Sequence, residues 1–334
     1  MKIHISIIIP VREINDYVTN ENLPAFVHQT YKNFEVIVLP NELRKEDKAL
    51  LTKYPFLRII PTGNITRPAL KRDIGAKHAN GTILAFIDDD AYPKSDWLKH
   101  AETLFTKKDV SCVCGPGVLP KNTNIWEKVF DEILVSPVGS GGYGYRFTPK
   151  ETRFVDDYPS MNFLITKKLF TRIGGFNNNF WPGEDSKLCN DIVYKEHEKI
   201  LYSPNVIIYH HRRNSLVPYL RQHMQYGYHR GAFIAVGDKN SLKINYFLPL
   251  FFLLYCLSLL VLLPFFTPLY FAPLIAYLLL SVVIAVRAFL KYKNIFYIVA
   301  IPSVLFLTHM LYGMSFLKGL VVGFIKRDKI YGNE

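Results

Sequence analysis

Three carboxylates close one apolar run in this chain. Ile83-Leu84-Ala85-Phe86-Ile87 carries no polar side chain and ends in Asp88, Asp89 and Asp90. An apolar run of that length, bounded by polar turn residues, reads as a buried strand. Adjacent carboxylates repel one another unless a cation or hydrogen-bond donors neutralise them. Asp88 and Asp90 are two positions apart, so on an extended backbone they point the same way. A hard divalent cation that holds a diphosphate uses such an arrangement, with one or two carboxylates and substrate oxygens completing its shell. A strand followed by a solvated acidic turn would carry the same residues. A second acidic pair, Glu184-Asp185, stands in the segment WPGEDSKLC. After Pro182-Gly183 this pair also suits the amino-terminal cap of a helix.

Chemistry at a strand end needs a sheet to hold it. Ile3–Ile9, Phe34–Leu39, Leu57–Ile60 and Thr82–Ile87 read as strands, and Glu21–Gln29 and Ala69–Ala79 as helices. Strands alternating with helices at this spacing predict an α/β fold with a mainly parallel, Rossmann-like sheet. Such sheets bind ligands beyond the carboxyl ends of their strands. Pro10-Val11-Arg12-Glu13 and the three aspartates both fall at strand ends, which predicts a shared cleft. Leu201–His210 reads as a further strand, with Val206, Ile208 and His210 on one face and His211 on the other. The run SPVGSGGYGYRF, residues 136–147, reads as a mobile loop, either a surface linker or a lid that orders on binding.

The 334 residues suffice for one large domain or two modest ones. Residues 1–240 are mixed and charged, whereas residues 246–325 are almost wholly apolar. The formal net charge is +12, with basic residues crowded at 205–245 and beside the apolar tail. The chain carries no helix-turn-helix, zinc or RNA-binding signature, so no nucleic-acid partner is expected. Attraction to anionic lipid accounts better for positive charge beside apolar spans. Cys112 and Cys114 form a C-x-C with no matching second pair, which argues against zinc. A reduced, cytosolic setting fits the cysteines better than a disulfide framework. Met1-Lys2 leads into an apolar run broken at Pro10, too short for a signal peptide, so the amino-terminal part is expected to stay in the cytosol.

Residues 215–236 read as an amphipathic helix carrying Arg221, His223, Tyr226, Tyr228, His229 and Arg230, suited to a membrane interface. Tyr246–Phe266 has no charged residue, and as a helix it would span about 31 Å, enough for a bilayer core. Leu269–Leu290 is a second span. Ile295–Ile325 is a third apolar stretch, interrupted by Pro302, His309 and Lys318, and reads as a span or a re-entrant segment. Arg287, Lys291 and Lys293 mark the side after the second span as cytosolic, and Lys326, Arg327 and Lys329 mark the carboxyl terminus likewise. The expected plan is therefore a catalytic domain over 1–214, an interface helix over 215–240 and a transmembrane region over 246–325.

ISIIIPVRE, HQTYKNFEVIVL, KRDIGAKHANGTILAFIDDDAYP and GGFNNNFWPGEDSKLC occur in that order. Together they resemble the family-2 glycosyltransferases of GT-A fold, across residues 3–235. The apolar tail resembles the subset that works on envelope polysaccharides or lipid-linked sugars, with the catalytic domain on the cytosolic face of a bacterial inner membrane. The resemblance implies a nucleotide-sugar donor and a divalent cation, Mn2+ or Mg2+. Pro10, Arg12 and Glu13 would line the nucleotide pocket, followed by Arg72 and Asp73. Asp88 matches the acid that contacts the ribose, with Asp89 beside it. Asp90 matches the metal-binding acid, and His210 resembles a histidine that approaches the metal or diphosphate. Asp185 matches the general base, paired with Glu184. Trp181 and Phe180 could offer a sugar-stacking face and raise the Asp185 pKa. Arg221 and Gln222 are weaker candidates for acceptor or donor-sugar contacts.

Two departures stand out. The family's second strand ends in an acidic pair that grips the base, but here the residues are Leu39-Pro40-Asn41-Glu42. Processive synthases carry Q-x-x-R-W, whereas Gln222-His223-Met224-Gln225-Tyr226 keeps only the Gln, which argues against a processive polymer synthase. The implied activity is inverting transfer to a lipid-linked or nascent-glycan acceptor by a membrane-anchored enzyme. A polyprenyl-phosphate glycosyl synthase is the near alternative, because a phosphate acceptor needs little deprotonation. A nucleotidyltransferase should carry a Gly-rich loop after the first strand, and Val11-Arg12-Glu13-Ile14 is not one. An inactive membrane scaffold would have no use for both acidic motifs.

Overall fold

The computed structural model describes residues 3–107, 109–176, 183–262 and 267–325. The chain forms two compact units. The first comprises the chain up to Pro120 together with Thr148–His211; the second comprises Lys121–Phe147 and the chain from Arg212 onward.

Among the described residues the first unit is built on eleven strands: β1 Ile5–Pro10, β2 Phe34–Leu39, β3 Leu57–Ile59, β4 Ile83–Ile87, β5 Ala91–Pro93, β6 Cys112–Cys114, β7 Gly117–Val118, β8 Arg153–Val155, β9 Asn162–Thr166, β10 Ile200–Tyr202 and β11 Ile208–His210. Eight form a sheet in the order β3-β2-β1-β4-β9-β6-β10-β8. Its β3-β2-β1-β4 half is parallel, with Ile7 beside Val36 and Ala85. β9 runs antiparallel between β4 and β6. A second sheet has three strands, in the order β5-β11-β7. β1, β2 and β4 are near-continuous Ile/Val/Leu runs and almost wholly buried, as expected for strands covered on both faces.

Expected boundaries move by a residue or two at β1, β3 and β4. Two readings need correction. Leu201–His210 is not one strand. The chain turns at Ser203-Pro204-Asn205, where the Val206 amide donates to Ser203 O, and passes from β10 in one sheet to β11 in the other. Proline cannot donate to a strand ladder, which favours a break there. Glu21–Gln29 is not one helix either. A π turn over Val18–Asn22 leads into a short helix, Leu23–Val27, and Asn15 Oδ1 accepts the Val18 amide at 3.0 Å to start it.

Buried Asn162, at the start of β9, ties the centre together. Its Nδ2 donates at 2.7 Å to both Gly115 O and Val206 O, and its Oδ1 accepts Trp97 Nε1 at 2.9 Å. Gly115 is required there, since a Cβ would lie 1.9 Å from Val206 O.

In the second unit the helix Ile125–Val135 begins with a reciprocal capping box between Asn124 and Glu127. Residues 136–147 are ordered rather than an open loop: Ser136 caps a helical turn at Pro137–Ser140, a 3₁₀ turn follows at Gly144–Arg146, and Asn245 Nδ2 holds Gly141 O at 2.7 Å. Among the described residues three helices are long and apolar enough to cross a membrane: Ile244–Val261, Pro268–Tyr292 and Phe296–Ile325. The last is continuous over 30 residues, so the segment left open as span or re-entrant forms a single rod.

The helix predicted over 215–236 forms at Leu216–Val236 and packs one face along the final helix. Both carry glycines four apart, Gly227 and Gly231 on one and Gly319 and Gly323 on the other. A Cβ at Gly231 would fall 2.1 Å from Phe316 O, and one at Gly319 would fall 1.9 Å from Tyr228 O. Small residues at such spacing let helix backbones touch.

Asn162→Ala leaves Trp97 Nε1 without its acceptor. It also removes the donor to Gly115 O and Val206 O, so it should cost at least about 1–3 kcal/mol, the penalty for one buried unsatisfied group. Chemical denaturation of the full chain in detergent, read by tryptophan fluorescence, measures this; an unchanged midpoint would remove Asn162 as a tie.

Candidate active site

β4 delivers Asp88 and Asp90 to one place, and β11 delivers His210. Ligand atoms of Asp88, Asp90 and His210 lie within 4.8 Å of one another. His210 Nε2 is 3.1 Å from Asp90 Oδ1, and the His211 amide donates to Asp90 O, locking β11 to the aspartate turn. Gly117 on β7 allows this approach: a Cβ there would sit 3.1 Å from that of His210. Asp89 turns the other way, and Asn15 Nδ2 donates to it at 2.6 Å. Burial, then the neighbouring Asp90 and Asp88, push its pKa up to about 6. His211 points away from the cluster as the alternation predicted, to Glu21 Oε2 at 3.0 Å and onto the Tyr17 ring.

The cluster fits a divalent cation. Two donors each about 2.1 Å from an octahedral ion, at right angles, stand about 3 Å apart. The Asp90–His210 separation matches that spacing, and two carboxylates with one imidazole leave positions for substrate oxygens.

Arg72 joins this cluster to the second acidic motif. It lies on the helix Pro68–His78, is 4% exposed, and donates to Asp88 Oδ1 at 2.7 Å and Glu184 Oε1 at 3.3 Å. Its guanidinium also lies 5.5 Å from the centre of the Phe176 ring. Burial works against its charge, but Asp88, Asp185 and Glu184 outweigh burial and raise its pKa. Glu184 and Asp185 open the helix Glu184–Asn190, after Gly183 at φ 125°, a conformation that favours glycine. The Asp185 carboxyl is shifted well above the usual carboxylate range, by burial first and Glu184 second, with Arg72 and Ser160 opposing. Among the described residues its Oδ1 has no hydrogen-bond partner.

The other expected residues are distributed as follows. Pro10 ends β1 beside Leu39. Arg12 and Glu13 are exposed just beyond, with Glu13 3.7 Å from Arg44. Asp73 accepts the Phe176 amide at 2.9 Å and so anchors the turn before the second acidic motif. Arg221 and Gln222 lie on Leu216–Val236 in the second unit. Trp181 and Phe180 fall outside the described residues. Lys71 was not singled out from the sequence. Its buried ammonium donates to Val11 O at 2.5 Å, Leu39 O at 3.1 Å and Asn41 Oδ1 at 2.6 Å, clamping the ends of β1 and β2 together. Burial pulls its pKa down to about 8. A lysine in a run of basic residues gives no signal that it points inward.

A mainly parallel sheet with one acidic motif at a strand end and a second at a helix start, joined by one arginine, defines a GT-A glycosyltransferase. Residues 6–174 match the profile of glycosyl transferase family 2, and the chain belongs to that family. It is 27% identical over 329 residues to the dolichyl N-acetyl-alpha-D-glucosaminyl phosphate 3-beta-D-2,3-diacetamido-2,3-dideoxy-beta-D-glucuronosyltransferase of Methanococcus voltae, covering 96% of this chain and 98% of the relative. It is 20% identical over 201 residues to the glucosyl-dolichyl phosphate glucuronosyltransferase of Haloferax volcanii, covering 57% of this chain and 63% of that one. The fold is similar to that of the mannosyltransferase PcManGT from Pyrobaculum calidifontis, solved with GDP-Man and Mn2+, at a TM-score of 0.60 and 14% identity, covering 96% of this chain and 88% of that chain.

The raised Asp185 pKa has a consequence for stability. A carboxyl whose folded pKa exceeds its unfolded value contributes stability that is fully present below the unfolded pKa and lost as pH rises through the folded one. Asp185→Asn, which never ionises, should therefore unfold a few degrees higher than the parent at about pH 8, with the gain vanishing towards about pH 4. Thermal midpoints of the metal-free protein across that range test this. A midpoint difference that does not change with pH would contradict a strained Asp185 charge.

Proposed function

We propose that this glycosyltransferase moves a sugar, with inversion, from a nucleotide-sugar to a lipid-linked acceptor, and that it depends on a divalent cation. One observation carries the reading: the Arg72 guanidinium holds Asp88 and Glu184 together, so a candidate cation site and a candidate base share one ionic network. Asp88, Asp90 and His210 would hold the cation, which when bound neutralises charge on the departing diphosphate. An imidazole in the shell suits Mn2+ better than Mg2+. Lys71, by fixing the β1 and β2 ends, would shape the nucleotide pocket, with Asn41 in place of the family's acidic pair.

Asp185 would take the proton from the acceptor hydroxyl. Its unpartnered Oδ1 offers a lone pair, and its raised pKa makes it a stronger base than an ordinary carboxylate. As the acceptor oxygen bonds to the anomeric carbon, the bond to the diphosphate oxygen breaks and the diphosphate leaves with the electron pair. A single displacement from the opposite face inverts the centre. The acceptor class is supported by the Methanococcus voltae relative, whose name specifies a sugar on dolichyl phosphate and which aligns over nearly its full length. It is further supported by three helices apolar enough to cross a membrane. Arg287, Lys291 and Lys293 support a cytosolic catalytic unit.

Asp90→Ala should abolish the metal-dependent part of nucleoside diphosphate binding. Calorimetry with and without Mn2+ reads this, and an unchanged metal-dependent affinity would remove Asp90 from the site. His210→Ala should narrow the preference for Mn2+ over Mg2+ in the same titration.

Asp185→Asn should bind donor like the parent yet transfer sugar roughly 10²–10⁴-fold more slowly, the usual contribution of general base catalysis. Single-turnover transfer at saturating donor separates the two effects. Near-normal transfer would point to a phosphate acceptor instead.

A further inference from the structure

The helices Leu216–Val236 and Phe296–Ile325 frame a groove of about 470 Å³. Its walls are largely apolar, with Val217, Leu220 and Met224 on the first helix, and its two cations are Arg221 and Lys318. Arg221, Met224 and Tyr228 recur at helical spacing and so share one face. No acidic residue lines the groove, and among the described residues neither Arg221 nor Lys318 has an ion-pair or hydrogen-bond partner.

Two like charges facing one apolar groove repel each other unless an anion lies between them. The final helix, which carries Lys318, is apolar enough to cross a membrane. An occupant must therefore combine an anionic head with an apolar chain that can run along a membrane helix. The spacing of the two helices is fixed by backbone contact at Gly231 and Gly319. The groove is thus preformed, which lowers the ordering cost of binding.

We propose that this groove binds the phosphate head and the first carbons of a long-chain polyprenyl-type phosphate, the lipid part of the acceptor. Arg221 and Lys318 would grip the phosphate, and Val217, Leu220 and Met224 would contact the chain. This rests on the lipid-linked acceptor proposed above. It goes beyond that reading by assigning the lipid's binding residues to the second unit. A basic residue near the end of a span also serves as a simple interfacial anchor. An anchor would accept any anionic lipid, whereas this groove should select a phosphate carried on a single polyprenyl chain.

The test uses the full chain in neutral phosphatidylcholine nanodiscs. Radiolabelled long-chain polyprenyl monophosphate is titrated, and the free polyprenol, inorganic phosphate and phosphatidylglycerol compete. Saturable binding is expected, with each competitor at least about tenfold weaker. Arg221→Gln and Lys318→Gln should each weaken binding about tenfold, as expected for loss of a charged hydrogen bond. Arg221→Lys should restore part of the loss, and Leu220→Trp should block the groove. Nucleotide-sugar affinity, measured in parallel, should not change in any of them. Equal competition by phosphatidylglycerol, or parental lipid affinity in the Arg221→Gln/Lys318→Gln double variant, would overturn the groove. If that double variant also turns over a lipid-linked acceptor at the parental KM, the groove is wrong while the acceptor class stands. A parent protein that binds no polyprenyl phosphate and glycosylates only soluble acceptors overturns both.

Discussion

A buried guanidinium shared by two acidic motifs organises the catalytic unit. Arg72 is almost fully enclosed and meets Asp88, sixteen residues on, and Glu184, more than a hundred residues on. A buried charge is tolerated only when it is paired and hydrogen-bonded. Neither carboxylate can therefore move off without stranding the arginine, and the arginine cannot leave without stranding a dense acidic cluster. The pairing brings the turn after β4 and the start of the Glu184–Asn190 helix to one place. It leaves Asp185 buried beside a like charge, which is what lifts its pKa. The contact that joins the two motifs thus leaves Asp185 with a pKa above that of an ordinary carboxylate.

The rest of the first unit keeps that contact in position. Lys71, one residue before Arg72, ties the ends of β1 and β2 to the same helix. Asp73, one residue after, holds the turn that leads towards Glu184. Three consecutive charged side chains of one helix thus reach two strand ends, two acidic motifs and the turn at Phe176. Asn162 does the corresponding work deeper in the core, where its amide joins β9 to Trp97, Gly115 and Val206. In the second unit, glycine takes the organising part. The close approach of Leu216–Val236 to the final helix leaves no room for any Cβ at Gly231 or Gly319.

Much of this was legible in the residues. β1, β2 and β4 announce themselves as apolar runs because strands covered on both faces need no polar alternation. Asp88 and Asp90 share a side, and Asp89 leaves it, because the side-chain period of an extended chain is two. The apolar helices follow from length and hydropathy alone. The strand expected over Leu201–His210 failed at Pro204. Its residues are all compatible with extended structure, and only the switch between sheets decides where the ladder breaks.

Long-range partners were not legible. Nothing in the order Lys71-Arg72-Asp73 shows that the first turns inward to backbone carbonyls, the second to carboxylates and the third to an amide. Nor does the sequence show that Gly227 lies against the Tyr312 backbone and Gly319 against that of Tyr228, since a glycine in a helical run is locally only a weak helix former. The sequence by itself determined β1 to β4, the apolar helices and which acids stand two apart, because these depend on neighbours along the chain. The tertiary structure alone decided that Asp90 meets His210, that one arginine binds both acidic motifs, and that Asp185 is buried beside Glu184 with its charge disfavoured. Those outcomes depend on solvent exclusion and on the pairing of charges brought together from distant segments.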